Sequence, residues 1–146
     1  MKKFIFLSLI ISLIIVSCTQ QEVKSPIEGS WKLLSGNETT PDTAINYPIS
    51  TNGKFMKIIS KKYYSTVWQD TTINKSIWCY AGFNGGTYTF ENGVYTETAT
   101  YFSLLPNIGS KVAFKVEIKN DTLVMTYIPE KATAGYSSIE KWKRLE

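Results

Sequence analysis

The pair Asn92-Gly93, set between two runs of alternating residues, constrains the fold of this chain more than any other feature. A two-residue turn that matches the twist of its flanking strands is type I′. It needs positive φ at both central positions, which Asn-Gly meets at little cost. The turn sets the register, placing Glu91 opposite Val94, Phe90 opposite Tyr95 and Tyr88 opposite Glu97. Side chains alternate across a strand, so register decides faces. Tyr88, Phe90, Tyr95, Glu97, Ala99 and Tyr101 share one face, expected to be the inner one, while Thr87, Thr89, Glu91, Thr96, Thr98 and Thr100 fill the other. Asn120-Asp121 reads as a second turn of this kind. It groups Val112, Phe114, Val116, Ile118, Leu123, Met125 and Tyr127 against Lys115, Glu117, Lys119, Thr122 and Thr126.

The rest of the chain from Ile27 onward follows the same grammar. It is rich in Thr, Tyr, Val, Ile, Phe and Trp, with turn residues roughly every eight to twelve positions, and no segment carries an amphipathic helical period. Strands are expected at Ser30–Leu34, Lys54–Ser60, Tyr63–Gln69, Ser76–Ala81, Gly86–Glu91, Val94–Tyr101, Lys111–Lys119, Thr122–Ile128 and Ile139–Leu145. The expected fold is all-β: a single antiparallel β-barrel of about 8 to 10 strands over residues 27–146. Short strands and many exposed charges favour a water-soluble barrel. Ser35 to Gly53 reads as a long polar connection, either functional or mobile.

The amino terminus reads differently. Lys2 and Lys3 precede an apolar run from Phe4 to Val16, short of the ~20 residues a spanning helix needs, and Ser17 and Cys18 follow. Ile15-Val16-Ser17-Cys18 resembles the lipobox of bacterial lipoproteins. The resemblance implies that Cys18 receives a diacylglyceryl group and becomes the first residue after cleavage. Residues 1–17 would then be a signal peptide and 18–26 a lipidated tether, making the membrane a partner through the anchor. Thr19 is not the aspartate that in many bacteria retains lipoproteins at the inner membrane. The expected location is therefore the bacterial cell envelope, at the outer membrane, with either face open.

Charge and composition exclude several classes of function. The formal charge of +4 includes Lys2 and Lys3, which leave with the signal peptide, and the remaining lysines are scattered among acids. The basic stripe of a nucleic-acid binder is missing, so nucleic acid is not an expected partner. After lipidation only Cys79 remains, which rules out an intrachain disulfide; within Ile77-Trp78-Cys79-Tyr80-Ala81 it reads as a small buried hydrophobe. Histidine is absent, which removes Ser-His-Asp and Cys-His nucleophiles and imidazole zinc sites. No Walker loop, dinucleotide fingerprint or paired CxxC occurs, and no cofactor or metal is expected.

Two distant segments read together. Gly29-Ser30-Trp31 opens the first strand and Glu140-Lys141-Trp142-Lys143-Arg144 closes the last. The pairing resembles the lipocalin or calycin signature, in which a Gly-x-Trp lies across a basic residue of the final strand and plugs one end of the barrel. Arg144 is the only arginine among sixteen Lys and Arg residues, and a guanidinium stacks on an indole better than an ammonium does. The resemblance gives Gly29, Trp31, Trp142 and Arg144 the role of barrel closure. The series Gly85 to Phe90, Asn92 to Glu97, Asn120 to Leu123 and Glu140 to Leu145 is similar to that of lipocalin-like lipoproteins of bacterial envelopes with no assigned activity. It implies a lipocalin-like barrel, and by the same analogy Ile45, Tyr47 and Ile49 form a lid over its open end.

Glu97 stands out because register sets a carboxylate on the aromatic face, where an unpaired charge is costly. It is either a structural partner for a tyrosine hydroxyl or a lysine, or the polar end of a ligand pocket with Tyr88, Tyr95 and Tyr101, or a general acid-base. Trp68 and Trp78 are further candidates to line a pocket. The leading expectation is a non-enzymatic, lipid-anchored envelope protein whose barrel binds a small apolar or amphipathic ligand. Its rival is a structural or interaction module with a solid core that docks another envelope protein. A histidine-free enzyme using Glu97 and a tyrosine ranks third.

Overall fold

The computed structural model describes residues 24–48, 53–69, 81–130, 133 and 135–145. Cys18 with its flanking leader, Ile49, Trp78, Cys79 and most of the strand expected at Ser76–Ala81 lie outside these residues. Among the described residues nine strands follow one another: β1 (Gly29–Thr39), β2 (Ala44–Tyr47), β3 (Lys54–Ile59), β4 (Tyr63–Gln69), β5 (Ala81–Glu91), β6 (Val94–Phe102), β7 (Lys111–Lys119), β8 (Thr122–Tyr127) and β9 (Ser137–Arg144). A short 3-10 turn, Leu105–Asn107, lies between β6 and β7.

From β3 onward each strand pairs antiparallel with the next, and β9 returns to β1. The result is a closed barrel of eight strands with β2 as an extra ninth. β1 makes the closure possible by its length. Along one edge it pairs with β9 from Trp31 to Thr39, and along the other with β3 over Gly29–Lys32 and then with β2 over Gly36–Thr39. A register shift between Leu33 and Ser35 turns the strand between these two partners. Closure leaves few free edges, which suits a sheet in water.

Both expected hairpins have the expected register. Asn92 (φ 51°) and Gly93 (φ 78°) form the first turn, and Asn120 (φ 49°) and Asp121 (φ 57°) the second. The inner face packs Ile27, Trp31, Tyr95, Leu123, Met125 and Trp142 almost wholly out of solvent. Each such side chain contributes roughly 1.5–3 kcal/mol of hydrophobic stabilisation. Leu33, Trp142 and Leu123 form one row across β1, β9 and β8, so the carboxyl-terminal strand is held from both sides.

The connection expected from Ser35 to Gly53 is largely strand: β1 runs on to Thr39 and β2 lies within it, because Asn37, Glu38 and Thr39 are paired along both edges. Gly82 to Gly85, which separated the expected strands Ser76–Ala81 and Gly86–Glu91, belongs to the continuous β5. A Cβ on Gly86 would meet the Thr98 carbonyl oxygen, and one on Gly82 the Trp68 ring; here glycine marks close approach rather than a strand end. Tyr101 points outward and is 67% exposed. Gly86 faces Ala99 but Gly85 faces Tyr101, so Thr100 is the extra residue of a bulge that returns Phe102, not Tyr101, to the inside.

Candidate functional site

The closed end of the barrel is built from the start of β1 and the end of β9. The Arg144 guanidinium lies 4.1 Å from the centre of the Trp31 ring. Its nitrogens donate to the carbonyls of Glu28 (2.8 Å) and Pro26 (2.7 Å), and Trp31 Nε1 donates to the Ile27 carbonyl (2.9 Å). Residues 25–28 are thereby held across the barrel end with Ile27 buried beneath them. Gly29, with φ 145°, turns the chain into β1. Trp142 lies deeper, with Nε1 donating to Glu140 Oε2 at 2.9 Å.

Inside the barrel, Lys57 of β3 donates to Glu97 Oε1 of β6 at 2.8 Å, with the two side chains 4% and 7% exposed. Glu140 Oε2 of β9 stands 4.0 Å from the same ammonium. The rings of Tyr95, Phe114 and Trp142 surround Lys57 Nζ at 5.7, 5.7 and 5.2 Å. Burial acts to lower the pKa of Lys57, but the Glu97 and Glu140 carboxylates outweigh it and hold it above the usual lysine value. The network continues through Tyr47, whose hydroxyl donates to Glu140 Oε1 at 3.2 Å and lies 3.4 Å from Ser138 Oγ. Burial first, then Glu140, pushes the Tyr47 phenol well above its usual range. Tyr47 reaches this position because its ring lies over Gly36, where no side chain intervenes.

Glu97 is thus the buried partner of a buried lysine. Tyr95 Oη stands close enough for Glu97, after burial, to raise its pKa strongly, but forms no bond of full hydrogen-bond geometry. Tyr88 leans toward the closed end, its ring 5.1 Å from that of Tyr95 and its hydroxyl donating to the Ser60 carbonyl at 2.7 Å. Tyr101 is outside, as described. Trp68 lies over Gly82 on the inner face, edge-on to Phe102 at 6.3 Å. Of the residues expected to line a pocket, Tyr88, Tyr95 and Glu97 form one cluster, and Trp68 and Tyr101 lie apart from it. Of the expected lid, Ile45 is part of β2 and Tyr47 reaches in toward Glu140.

Lys57 and Glu140 were not singled out by the sequence. Lys57 alternates with Phe55 and Ile59, but Met56 and Ile58 make the opposite face equally apolar, so pattern alone does not orient the strand. For Glu140 a signal existed: it shares a face with Trp142 and Arg144.

A concavity lies on the outside of the barrel. One outward row crosses four strands in register, Lys32 of β1 facing Met56 of β3, Met56 facing Val67 of β4, and Val67 facing Phe83 of β5. These residues line a groove of about 680 Å³. Lys54, Gln69 and Ala81 line it two residues further along the strands, Phe55, Trp68 and Gly82 border it from the row between, and Ser103 and Leu145 stand at its sides. Its apolar floor is accessible: Met56, Val67 and Phe83 are 37%, 41% and 49% exposed. Among the described residues no group of three or more His, Cys, Asp or Glu side chains is placed to hold a metal ion. Compared with protein-family models and with curated proteins, the sequence matches none.

Proposed function

We propose that this chain is a lipid-anchored protein of the bacterial envelope that binds a small apolar or amphipathic molecule, received by the groove outside the barrel rather than by its interior. The observation that carries this reading is the row Met56, Val67 and Phe83, three large apolar side chains accessible together on the floor of a ligand-sized concavity. The interior favours packing over reception. Its middle is taken up by Lys57, Glu97 and the rings around them, and a ligand entering there would have to displace a buried ion pair. The lipocalin-like resemblance supports a barrel built for binding, with the binding surface moved to the outer face.

The anchor rests on the lipobox-like tetrad ending at Cys18. Two or more acyl chains there would hold the protein stably at a membrane. Labelled palmitate should enter the wild type and not Cys18→Ser; equal labelling contradicts the anchor. Native mass spectrometry of protein taken from its own envelope should show a bound small molecule that is lost in the Val67→Ser/Phe83→Ser variant. A copurifying protein in place of a small molecule favours the interaction-module reading, which the outward position of the groove also suits.

A further inference from the structure

The groove is flanked by positive charge that nothing in the described structure neutralises. Lys32, which lines it, faces Lys143 of β9 directly across the strand pair, and Lys54 lies two residues from Met56 on the same outer face. Like charges directly opposed across a sheet repel, which weakens the pairing. The outward positions of β8, β9, β1 and β3 carry no carboxylate. No ion pair among the described residues involves Lys32, Lys54 or Lys143. Charge and apolar surface are also continuous, because Lys143, Lys32, Met56, Val67 and Phe83 occupy one row across five strands.

A neutral apolar ligand would leave this repulsion in place, and a cationic one would add to it. We infer that the groove takes a single-chain amphiphile with an anionic head, phosphate or carboxylate, whose chain lies on Met56, Val67 and Phe83 while the head sits between Lys32, Lys143 and Lys54. The inference rests on the binding role proposed above and adds the sign of the ligand's charge. Lysine suits this task as a flexible point charge that can follow a head group rather than demand one geometry.

Calorimetric titration with three amphiphiles of equal chain length, decyl phosphate, decanol and decyltrimethylammonium, each kept below its micelle concentration, tests it. Decyl phosphate is expected to bind about tenfold or more tightly than decanol at low salt, with the ratio shrinking as salt rises, and the cation is expected to bind most weakly. In Lys32→Gln/Lys54→Gln/Lys143→Gln the preference should vanish while decanol binding persists; in Val67→Ser/Phe83→Ser all binding should fall. Equal affinity for the three compounds overturns the charge inference and leaves the binding role standing. Absence of binding by any of them overturns the binding role itself. Binding to vesicles of anionic phospholipid without binding of monomeric decyl phosphate also overturns the inference, since the occupant would then be a membrane surface.

Discussion

Lys57 on β3 and Glu97 on β6 meet at 2.8 Å inside the barrel, on strands that are not neighbours in the sheet. The contact spans the interior and ties opposite walls together. Glu140 from β9 approaches the same ammonium, so three strands converge on one cation.

Removing one member of this pair should be costly, because it strands a charge out of water. Lys57→Met and Glu97→Gln are each expected to lower stability by about 3–5 kcal/mol. The double variant should lose less than the sum, with a coupling of about 1–3 kcal/mol. Urea unfolding of the four proteins measures this; additive losses would mean the two side chains do not act as a pair.

Stability should fall in alkaline solution. Lys57 and the phenols of Tyr95, Tyr47, Tyr64 and Tyr136 all have folded pKa values above their ordinary ones of 10.5 and 10.0, the tyrosines chiefly through burial and Lys57 through the carboxylates that overcome its burial. A group whose pKa is raised by folding stabilises fully below its unfolded pKa. As pH climbs past that value the unfolded chain releases protons that the folded one keeps, and the contribution is lost. The urea midpoint is expected to hold level up to about pH 10 and decline above it, less steeply in Tyr95→Phe. A midpoint that rises across this window contradicts the assignment.

At the closed end, Arg144→Lys keeps the charge and loses the planar fork that reaches two carbonyls while lying over Trp31. It should cost about 1–3 kcal/mol, most of what Arg144→Ala costs. Hydrogen exchange at the amide of Glu28, which donates to the Ser25 carbonyl, should quicken in both variants. Unchanged protection in Arg144→Lys would show that any cation closes the end.

Two glycines are predicted to be irreplaceable for steric reasons rather than for backbone freedom. Gly86→Ala drives a methyl group into the Thr98 carbonyl, and Gly36→Ala drives one into the Tyr47 ring. Each should cost about 1–3 kcal/mol. The second should also release Tyr47 from Glu140, visible as a change in tyrosine absorbance on alkaline titration. An unshifted titration in Gly36→Ala would mean that the ring accommodates the methyl group without moving.

The fold was legible wherever turn chemistry and period-two patterning agreed, as around Asn92-Gly93 and Asn120-Asp121, whose local rules dictate both conformation and pairing. Legibility failed where long-range pairing overrode local preference. Asn37 and Glu38 are poor strand formers, held together with Thr39 by partners on both edges, and Tyr101 lost its inward position to a single extra residue at Thr100 that no alternation rule anticipates. Glu97 could be picked out as an odd charge on an aromatic face. Its partner could not, because Lys57 sits in a strand apolar on both sides, and that second apolar side, Met56 and Ile58, belongs to the outer face on which the groove lies.

The most direct test of this account is methyl NMR of the protein titrated with decyl phosphate. Methyl resonances of Met56 and Val67, on the groove floor, should shift on saturation while those of Leu33, Leu123 and Met125, inside the barrel, stay in place. Shifts confined to the interior methyl groups would contradict the account and return the ligand to the barrel core.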